Sequence, residues 1–204
     1  MSLLQEQSNI DWLISNTQPR RIYDRGSVQP LPEEVYKILS ISSACSSELI
    51  DVTKVKCVTQ GKYCICVPNN TDKPIIASFG AAGCIILAMR SRVDGTLVMA
   101  HIDSMILEAV DTFNGLLGST DIDVYIVGGN ESTLDIVNNL LIQLKENNFT
   151  DIKLAYIIDS KINSLAINCE NGDTYLNFST SIISRLDCNI DVSSLFRYRK
   201  LKSI

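Results

Sequence analysis

The chain has 204 residues, of which 46% are hydrophobic, and its formal net charge at pH 7 is −5. A chain of this size and hydrophobicity can bury a core, whereas its acidic balance disfavours binding to nucleic acid. The N-terminus lacks the basic start and long apolar stretch of a secretory signal, and no apolar run is long enough to span a bilayer, so the sequence predicts a cytoplasmic protein that does not bind membranes.

The cysteine content indicates reduced thiols, because the number is odd and the chain is long enough to fold without disulfides. Cys64 and Cys66 alternate with apolar residues, which is not the spacing of common zinc sites. A single histidine, His101, argues further against a catalytic zinc site. We therefore predict that the protein uses no metal and no other cofactor. The seven cysteines are Cys45, Cys57, Cys64, Cys66, Cys84, Cys169 and Cys188.

The N-terminal segment differs in pattern from the rest of the chain. Helical periodicity near residues 3–13 and 32–41 flanks a polar stretch over residues 16–29 that contains a proline. Further along, short apolar runs alternate with turn residues. We predict a helical appendage over residues 1–45, followed by one domain over residues 46–204.

The first half of that domain contains short apolar runs that are typical of strands. A turn at Gly61 joins the first two runs, residues 68–74 have the composition of a loop, and a turn at Asp94 and Gly95 joins the last two. The predicted strands are residues 53–58, 62–67, 75–79, 84–90 and 96–101.

The second half of the domain combines helices with strands. Ser132 and Asp135 have the spacing of a capping box at the start of the second helix, and a turn at Asn171 and Gly172 joins the last two strands. The order favours an α+β fold with a layered, mostly antiparallel β core flanked by helices. The first helix presents one apolar face, made by Met105, Ile106, Ala109, Val110, Phe113, Leu116 and Leu117. The strands are residues 123–127, 153–158, 165–169 and 174–178.

Gly128 and Gly129 lie between a predicted strand and a predicted helix. A glycine pair at such a place forms either a tight turn or the beginning of a phosphate-binding loop. Both the full glycine fingerprint and the lysine of a P-loop are missing around it, so the tight turn is favoured.

The residues that can carry chemistry lie around Cys84. A turn of small residues, 80–83, directly precedes Cys84, which stands at the start of an apolar strand. Such a turn lets a substrate approach closely and leaves backbone N–H groups that can form an oxyanion hole, so Ala82 and Gly83 are candidate substrate-binding residues. The next strand ends at His101. A hairpin of these two strands brings the thiol and the imidazole together if a bulge or a wider loop absorbs the unequal lengths of its arms.

This arrangement makes Cys84 a candidate nucleophile and His101 a candidate base. The imidazole either takes the thiol proton or holds a thiolate–imidazolium pair. The thiolate attacks a carboxamide carbon, ammonia leaves, and water activated by the imidazole hydrolyses the thioester. The hydroxyl of Ser78 is a candidate to orient the imidazole. Each residue also has a purely structural interpretation. Cys84 can be an inert buried thiol, His101 a histidine of the core, and Ser78 an ordinary turn residue.

The spacing of these three residues resembles that of the cysteine deamidase superfamily of CheD, a chemoreceptor glutamine deamidase. In that superfamily a histidine follows the cysteine by seventeen positions and a hydroxyl residue precedes it by six. His101 and Ser78 have the same spacings from Cys84. The resemblance implies a CheD-like deamidase fold and a catalytic role for all three residues.

A closer resemblance is to the protein N-terminal asparagine amidohydrolase family. That family has an aspartate two positions after the histidine, as Asp103 is here, and Val-Gly-Gly after a strand, as at residues 127–129. The resemblance extends loosely over residues 55–179. It implies a hydrolase that acts on a protein or peptide substrate bearing asparagine or glutamine.

Three functions remain open from the sequence: deamidation of an N-terminal asparagine, deamidation of an internal glutamine or asparagine in a partner protein, and an inactive binding domain. The first requires a carboxylate for the substrate's α-ammonium group, because a buried charge must be paired. Asp103 is the candidate, since it lies on the same face of a strand as His101, and the alternative for Asp103 is the N-cap of the following helix. The sequence does not determine the oligomeric state.

Overall fold

The computed structural model describes residues 10–11, 13–14, 44–46, 50–104, 106, 108–150, 152–157, 162–177 and 193–194. The strands within them are β1 (Ala44–Ser46), β2 (Val55–Cys57), β3 (Lys62–Cys66), β4 (Ile75–Ser78), β5 (Ile85–Ser91), β6 (Leu97–Ile102), β7 (Ile122–Gly128), β8 (Ile152–Ile157), β9 (Leu165–Asn168), β10 (Thr174–Leu176) and β11 (Ser193–Ser194). The helices are α1 (Ala109–Leu117) and α2 (Leu134–Glu146).

The strands form two sheets, and the α+β fold predicted from the sequence is confirmed. One sheet has the order β1-β10-β9-β4-β2 and the other has the order β11-β3-β6-β5-β7-β8. The inner pairings are antiparallel, whereas β1 with β10, β2 with β4 and β7 with β8 pair in parallel at sheet edges. The parallel pair of β7 and β8 requires a crossover connection, which α2 provides.

The six-stranded sheet is the central layer of the fold. Val98, Ala100 and Ile102 of β6 join a core cluster with residues of both helices on one face of this sheet. Leu97 and Met99 belong to a second cluster on the other face, together with residues of β4 and β9 from the five-stranded sheet. Because side chains of a strand alternate between faces, His101 must lie on the face toward the five-stranded sheet.

Part of the N-terminal segment packs against the helical layer. Residues 10, 11, 13 and 14 are helical, in agreement with the first predicted helix, and Ile10 and Leu13 are buried in the same cluster as the two helices. Lys145 of α2 forms an ion pair with Asp11 at 2.6 Å. The second predicted helix, residues 32–41, lies outside the described residues. The division of the chain at residue 45 stays a prediction.

The first two predicted strands differ from the structure in partner and extent. They do not form a hairpin, because β2 pairs with β4 while β3 pairs with β6 in the other sheet. Val52–Lys54 is a 3-10 turn rather than strand. The carboxylate of Asp51 accepts hydrogen bonds from the backbone N–H and the hydroxyl of Thr53, which favours the turn over an extended backbone.

Both helices begin differently from the sequence prediction. The first starts at Ala109, and Leu116 is 37% exposed instead of lying on its buried face. At the second helix, the capping box is made by Asn130 and Thr133 rather than by Ser132 and Asp135. The reason is a 3-10 turn, Glu131–Thr133, that precedes α2 and moves the cap upstream. Within the described part of the chain, no helix has the length and apolar character needed to cross a membrane.

Candidate active site

The hairpin of β5 and β6 sets the relation between Cys84 and His101. His101 lies directly opposite Ile86, and the pairing runs in unbroken register from Ile85 with Ile102. Cys84 immediately precedes β5 and is therefore the diagonal neighbour of His101. Diagonal neighbours are within reach of long side chains. The sequence required either a bulge or a wider loop to compensate for the unequal lengths of the two strands. The structure has the wider loop, because the Ser91 N–H donates to the Thr96 carbonyl and closes it.

Both side chains lie on the face of the sheet that packs on the five-stranded sheet. Cys84 shares the core cluster of that face with Ile86. His101 shares the face because paired residues of neighbouring strands point the same way. Cys84 is 9% exposed and His101 is 4% exposed. The thiol and the imidazole therefore lie on one face at diagonal positions, buried between the two sheets, and no hydrogen bond joins the sulfur to Nε2 of His101.

Ser78 determines the orientation and the tautomer of the imidazole. Its hydroxyl oxygen lies 2.7 Å from the carbonyl oxygen of Val58 and 2.9 Å from Nδ1 of His101. A carbonyl can only accept, so the single hydroxyl proton is donated to Val58. The bond to the imidazole must then run from Nδ1–H to the serine oxygen. In neutral His101 the other nitrogen, Nε2, carries a lone pair and no proton.

Nε2 of His101 is buried, and no described residue gives it a hydrogen-bond partner. A buried polar atom without a partner carries a free-energy penalty, and such atoms in native proteins are often functional. With Nδ1 held by Ser78, Nε2 is the nitrogen that is available to accept a proton. It belongs to a ring on the same face as the Cys84 thiol.

The electrostatic environment favours the neutral forms of both groups. Burial lowers the pKa of His101 below its ordinary value, although the charge of Asp103 works in the opposite direction. Burial also raises the pKa of the Cys84 thiol, and Asp103 raises it further. A neutral thiol beside a neutral imidazole is therefore the resting state that these shifts favour, rather than a thiolate–imidazolium pair.

Asp103 lies at the mouth of the hairpin, next to the site. It follows the Ile85–Ile102 pair by one position, which places it across from Cys84. Its Oδ2 accepts a hydrogen bond of 3.0 Å from Nε2 of Gln60. The alternative expected from the sequence, a helix N-cap, is wrong for this residue, because α1 begins only at Ala109.

The turn that precedes Cys84 is fixed by two elements that flank it. The Ala81 N–H donates to the Asn163 carbonyl, and the Ala81 carbonyl accepts from the Gly129 N–H at 2.8 Å. Gly128 has a φ of 104°, and a Cβ there would lie 2.5 Å from the Ala81 oxygen. The glycine pair is thus a tight turn, as favoured by the sequence, and it allows close approach of the turn before Cys84. Ala82 and Gly83 themselves are exposed.

Sequence reasoning missed three groups of the site: the Val58 carbonyl, Gln60 and Asn130. The Asn130 Nδ2 atom lies 3.6 Å from the position that a Cβ on Gly83 would take. Only Asn130 had a signal in the sequence, since it directly follows the glycine pair. The other two depend on hydrogen bonds that join residues 20 and 43 positions apart in the chain, Val58 with Ser78 and Gln60 with Asp103, which local patterns do not reveal.

Residues 45–172 match the family model described as protein N-terminal asparagine amidohydrolase. The matched stretch covers more than half of the chain and contains Ser78, Cys84, His101 and Asp103. Among curated proteins, none matched this sequence.

Proposed function

The chain belongs to the protein N-terminal asparagine amidohydrolase family, and we propose that it hydrolyses the side-chain carboxamide of an N-terminal asparagine with Cys84 as nucleophile. Membership makes the protein a hydrolase of amides with a protein or peptide substrate. The observation that carries the cysteine mechanism is the hydrogen bond of 2.9 Å between Ser78 and Nδ1 of His101, which leaves Nε2 as the proton acceptor.

Acylation begins with the neutral pair. As the sulfur attacks the carboxamide carbon, the thiol proton moves to Nε2 of His101, so the thiolate need not exist beforehand. The C=O electron pair moves onto the oxygen. The imidazolium then returns its proton to the amide nitrogen as the C–N bond breaks and ammonia leaves. The substrate is now joined to Cys84 as a thioester.

Deacylation repeats the sequence with water. Nε2 takes a proton from the water as its oxygen attacks the thioester carbon, and the C–S bond breaks with the proton passing to sulfur. The asparagine side chain has become an aspartate carboxyl group. Ser78 acts here as a positioning residue, because it keeps Nδ1 protonated and aims Nε2 at the same point through both steps.

Asp103 is the proposed partner of the substrate's α-ammonium group. It lies across from Cys84, and its charge acts on both the thiol and the imidazole. A carboxylate beside a thiol raises the thiol pKa and thus disfavours the thiolate, so it is a poor choice for nucleophile activation. Binding a cationic chain end neutralises that charge, and the same event lowers the thiol pKa again.

The alternative function is deamidation of an internal asparagine or glutamine in a partner protein. It uses the same thiol and imidazole but has no α-ammonium group to bind. The half-exposed Asp103, already bonded to Gln60, is the observation that favours the chain-end substrate over this alternative.

Mass spectrometry of synthetic peptides tests the proposal. Peptides that begin with asparagine should gain about one dalton on conversion to the acid, whereas peptides beginning with glutamine or acetyl-asparagine should stay unchanged. Cys84→Ala should abolish the conversion. Cys64→Ala is the matched control, since it removes another buried thiol from the same face of the sheet. Equal conversion of acetylated and free peptides would favour the internal deamidase, and full activity of Cys84→Ala would exclude the cysteine mechanism.

A further inference from the structure

The side chain of Asn130 reaches the turn that carries the proposed nucleophile. Its Nδ2 lies 3.6 Å from the position of a Cβ on Gly83, the residue before Cys84, and no other described atom comes within 4 Å of that position apart from the chain neighbours of Gly83. Gly83 has no side chain to cover this space, and both residues are exposed. The amide group of Asn130 therefore lies close to the exposed backbone of Gly83, the residue before Cys84.

The orientation of this amide is determined by its other end. Oδ1 of Asn130 accepts hydrogen bonds from the backbone N–H of Ser132 at 2.9 Å and from its hydroxyl at 2.6 Å. A backbone N–H can only donate, so the atom that faces it must be the oxygen and not the nitrogen. The NH₂ group is consequently the part that points toward Gly83.

The backbone of Asn130 is held at the same time. Its N–H donates to the hydroxyl of Thr133 at 2.9 Å, completing the capping box. The preceding Gly129 N–H donates to the carbonyl of Ala81, in the turn before Cys84. The donor is thus held by fixed contacts beside the turn that precedes Cys84, the proposed nucleophile, and a donor fixed in advance is what stabilises developing charge.

Among the described residues, none accepts a hydrogen bond from Nδ2 of Asn130. We infer that Asn130 is a substrate-binding residue that donates from Nδ2 to the carbonyl oxygen of the carboxamide under attack. This inference rests on the proposed function of Cys84. The oxygen gains negative charge when sulfur adds to the carbon, so the hydrogen bond strengthens in the transition state and should act on kcat more than on KM.

Two substitutions test the donor without removing the cap. Asn130→Asp keeps an oxygen for Ser132 and replaces the NH₂ group with an acceptor. Asn130→Ser is an equally good N-cap residue, adds no charge and is too short to reach Gly83. Both should lower kcat on the order of tenfold to a hundredfold, less than the loss of a fully buried oxyanion donor, and leave Tm nearly unchanged. Ser132→Ala is the control, because it removes one cap bond and leaves the amide donor in place.

A second readout does not depend on the identity of the natural substrate. A small ¹³C-labelled aldehyde adds to a cysteine thiol as a thiohemiacetal, whose oxygen occupies the place of the carboxamide oxygen. NMR should detect this adduct in the wild-type protein but not in Cys84→Ala, and its dissociation constant should rise in both Asn130 variants. Unchanged adduct affinity in both variants would overturn the inference, whatever the peptides show. Weakened adducts with no turnover of asparagine peptides would uphold the inference and refute the proposed substrate. Absence of the adduct at Cys84 in the wild type would overturn both.

Discussion

The hydroxyl oxygen of Ser78 and Nδ1 of His101 are 2.9 Å apart although the two residues belong to different sheets. Ser78 ends β4 of the five-stranded sheet, and His101 lies in β6 of the six-stranded sheet. The contact between the two layers is therefore also the contact that fixes the tautomer of the proposed base. Packing of the sheets and the proposed chemistry at Cys84 therefore involve the same hydroxyl group.

Ser78→Ala should impair both stability and activity. The substitution leaves the buried Val58 carbonyl and Nδ1–H of His101 without their partner, which should lower the free energy of unfolding by about 1–3 kcal/mol. Because the imidazole loses its orienting bond, kcat should fall on the order of tenfold to a hundredfold. Denaturant unfolding and steady-state kinetics measure the two effects. Ser78→Thr retains the hydroxyl and should recover kcat more fully than stability, since its extra methyl group enters a fully buried site. A loss of stability with unchanged kcat would reduce Ser78 to a structural role.

Alkylation of Cys84 should report a thiol with a raised pKa. Among the cysteines whose side chains are described, Cys84 is 9% exposed and the others are at most 4% exposed, so iodoacetamide should modify it first. The thiolate is the reactive form, and burial together with Asp103 raises the pKa from its ordinary value of 9.0. The alkylation rate should therefore still increase with pH above pH 9. A rate that is already at its plateau near neutral pH would instead indicate a thiolate–imidazolium pair.

The stability of the protein should fall as the pH drops below 6.5. Burial lowers the pKa of His101 from 6.5 in the folded state, so the unfolded chain binds a proton at a higher pH than the folded chain does. The stabilisation is complete above pH 6.5 and is lost progressively toward the lowered pKa. His101 is the only histidine, which makes this window assignable to one residue. Urea unfolding at a series of pH values measures the slope, and His101→Asn should remove it. An unaltered slope in that variant would assign the effect to other groups.

Gly128→Ala should displace the turn that carries Cys84. Gly128 has a φ of 104°, and the added Cβ would lie 2.5 Å from the Ala81 oxygen and 2.7 Å from the Cys84 oxygen. We expect the free energy of unfolding to fall by about 1–3 kcal/mol because of backbone strain. The activity of the protein that remains folded should fall as well, because the turn before Cys84 is displaced. Gly115→Ala is the matched control, because a Cβ there meets nothing within 4 Å in an exposed turn of α1 and should stabilise the helix by up to about 1 kcal/mol. Equal effects of the two substitutions on thermal unfolding would contradict the close approach at Gly128.

The sequence predicted those parts of the site that local patterns encode. The hairpin of β5 and β6 followed from two apolar runs around Asp94 and Gly95, and its register brings Cys84 and His101 to one face. The same reasoning joined residues 53–58 to 62–67 wrongly. A turn at Gly61 indicates that the chain changes direction, but it does not indicate which sheet each of the two strands joins. In the structure β2 pairs in parallel with β4 and not with β3.

Two polar residues near the site, Asp103 and Asn130, have caps or neighbours that the sequence analysis did not predict. Asp103 was compatible with an N-cap because a helical pattern began at Met105, yet the helix starts at Ala109. Asn130 became the cap of the following turn because its own side chain competes for the backbone of Ser132. For Asp103 the two options were a helix N-cap and a position beside the site, and the observed start of the helix decides against the N-cap.

Asp103→Asn should separate chain-end recognition from the chemistry at Cys84. The substitution removes the charge, keeps the size of the side chain and leaves one oxygen for Gln60 or Ser104. Binding of an α-ammonium group loses its counter-charge, so KM for free asparagine peptides should rise strongly. The same charge raises the pKa of the Cys84 thiol, so its removal should speed alkylation of Cys84 at neutral pH. A variant that is more reactive toward iodoacetamide and yet less active on free peptides is the expected signature.

The control for this variant is Asp121→Asn, which removes a carboxylate that pairs with Arg92. Asp121 lies just before β7, whereas the opposite end of β7, at Gly128, contacts the turn before Cys84. It should change neither KM nor the alkylation rate. Acetylated peptides, which lack the α-ammonium group, should react as poorly with the wild type as free peptides do with Asp103→Asn. If Asp103→Asn speeds alkylation but leaves KM for free peptides unchanged, then Asp103 tunes the thiol without binding the chain end. In that event the ammonium group must find its counter-charge elsewhere, or the substrate is an internal residue and carries no such group near the thiol.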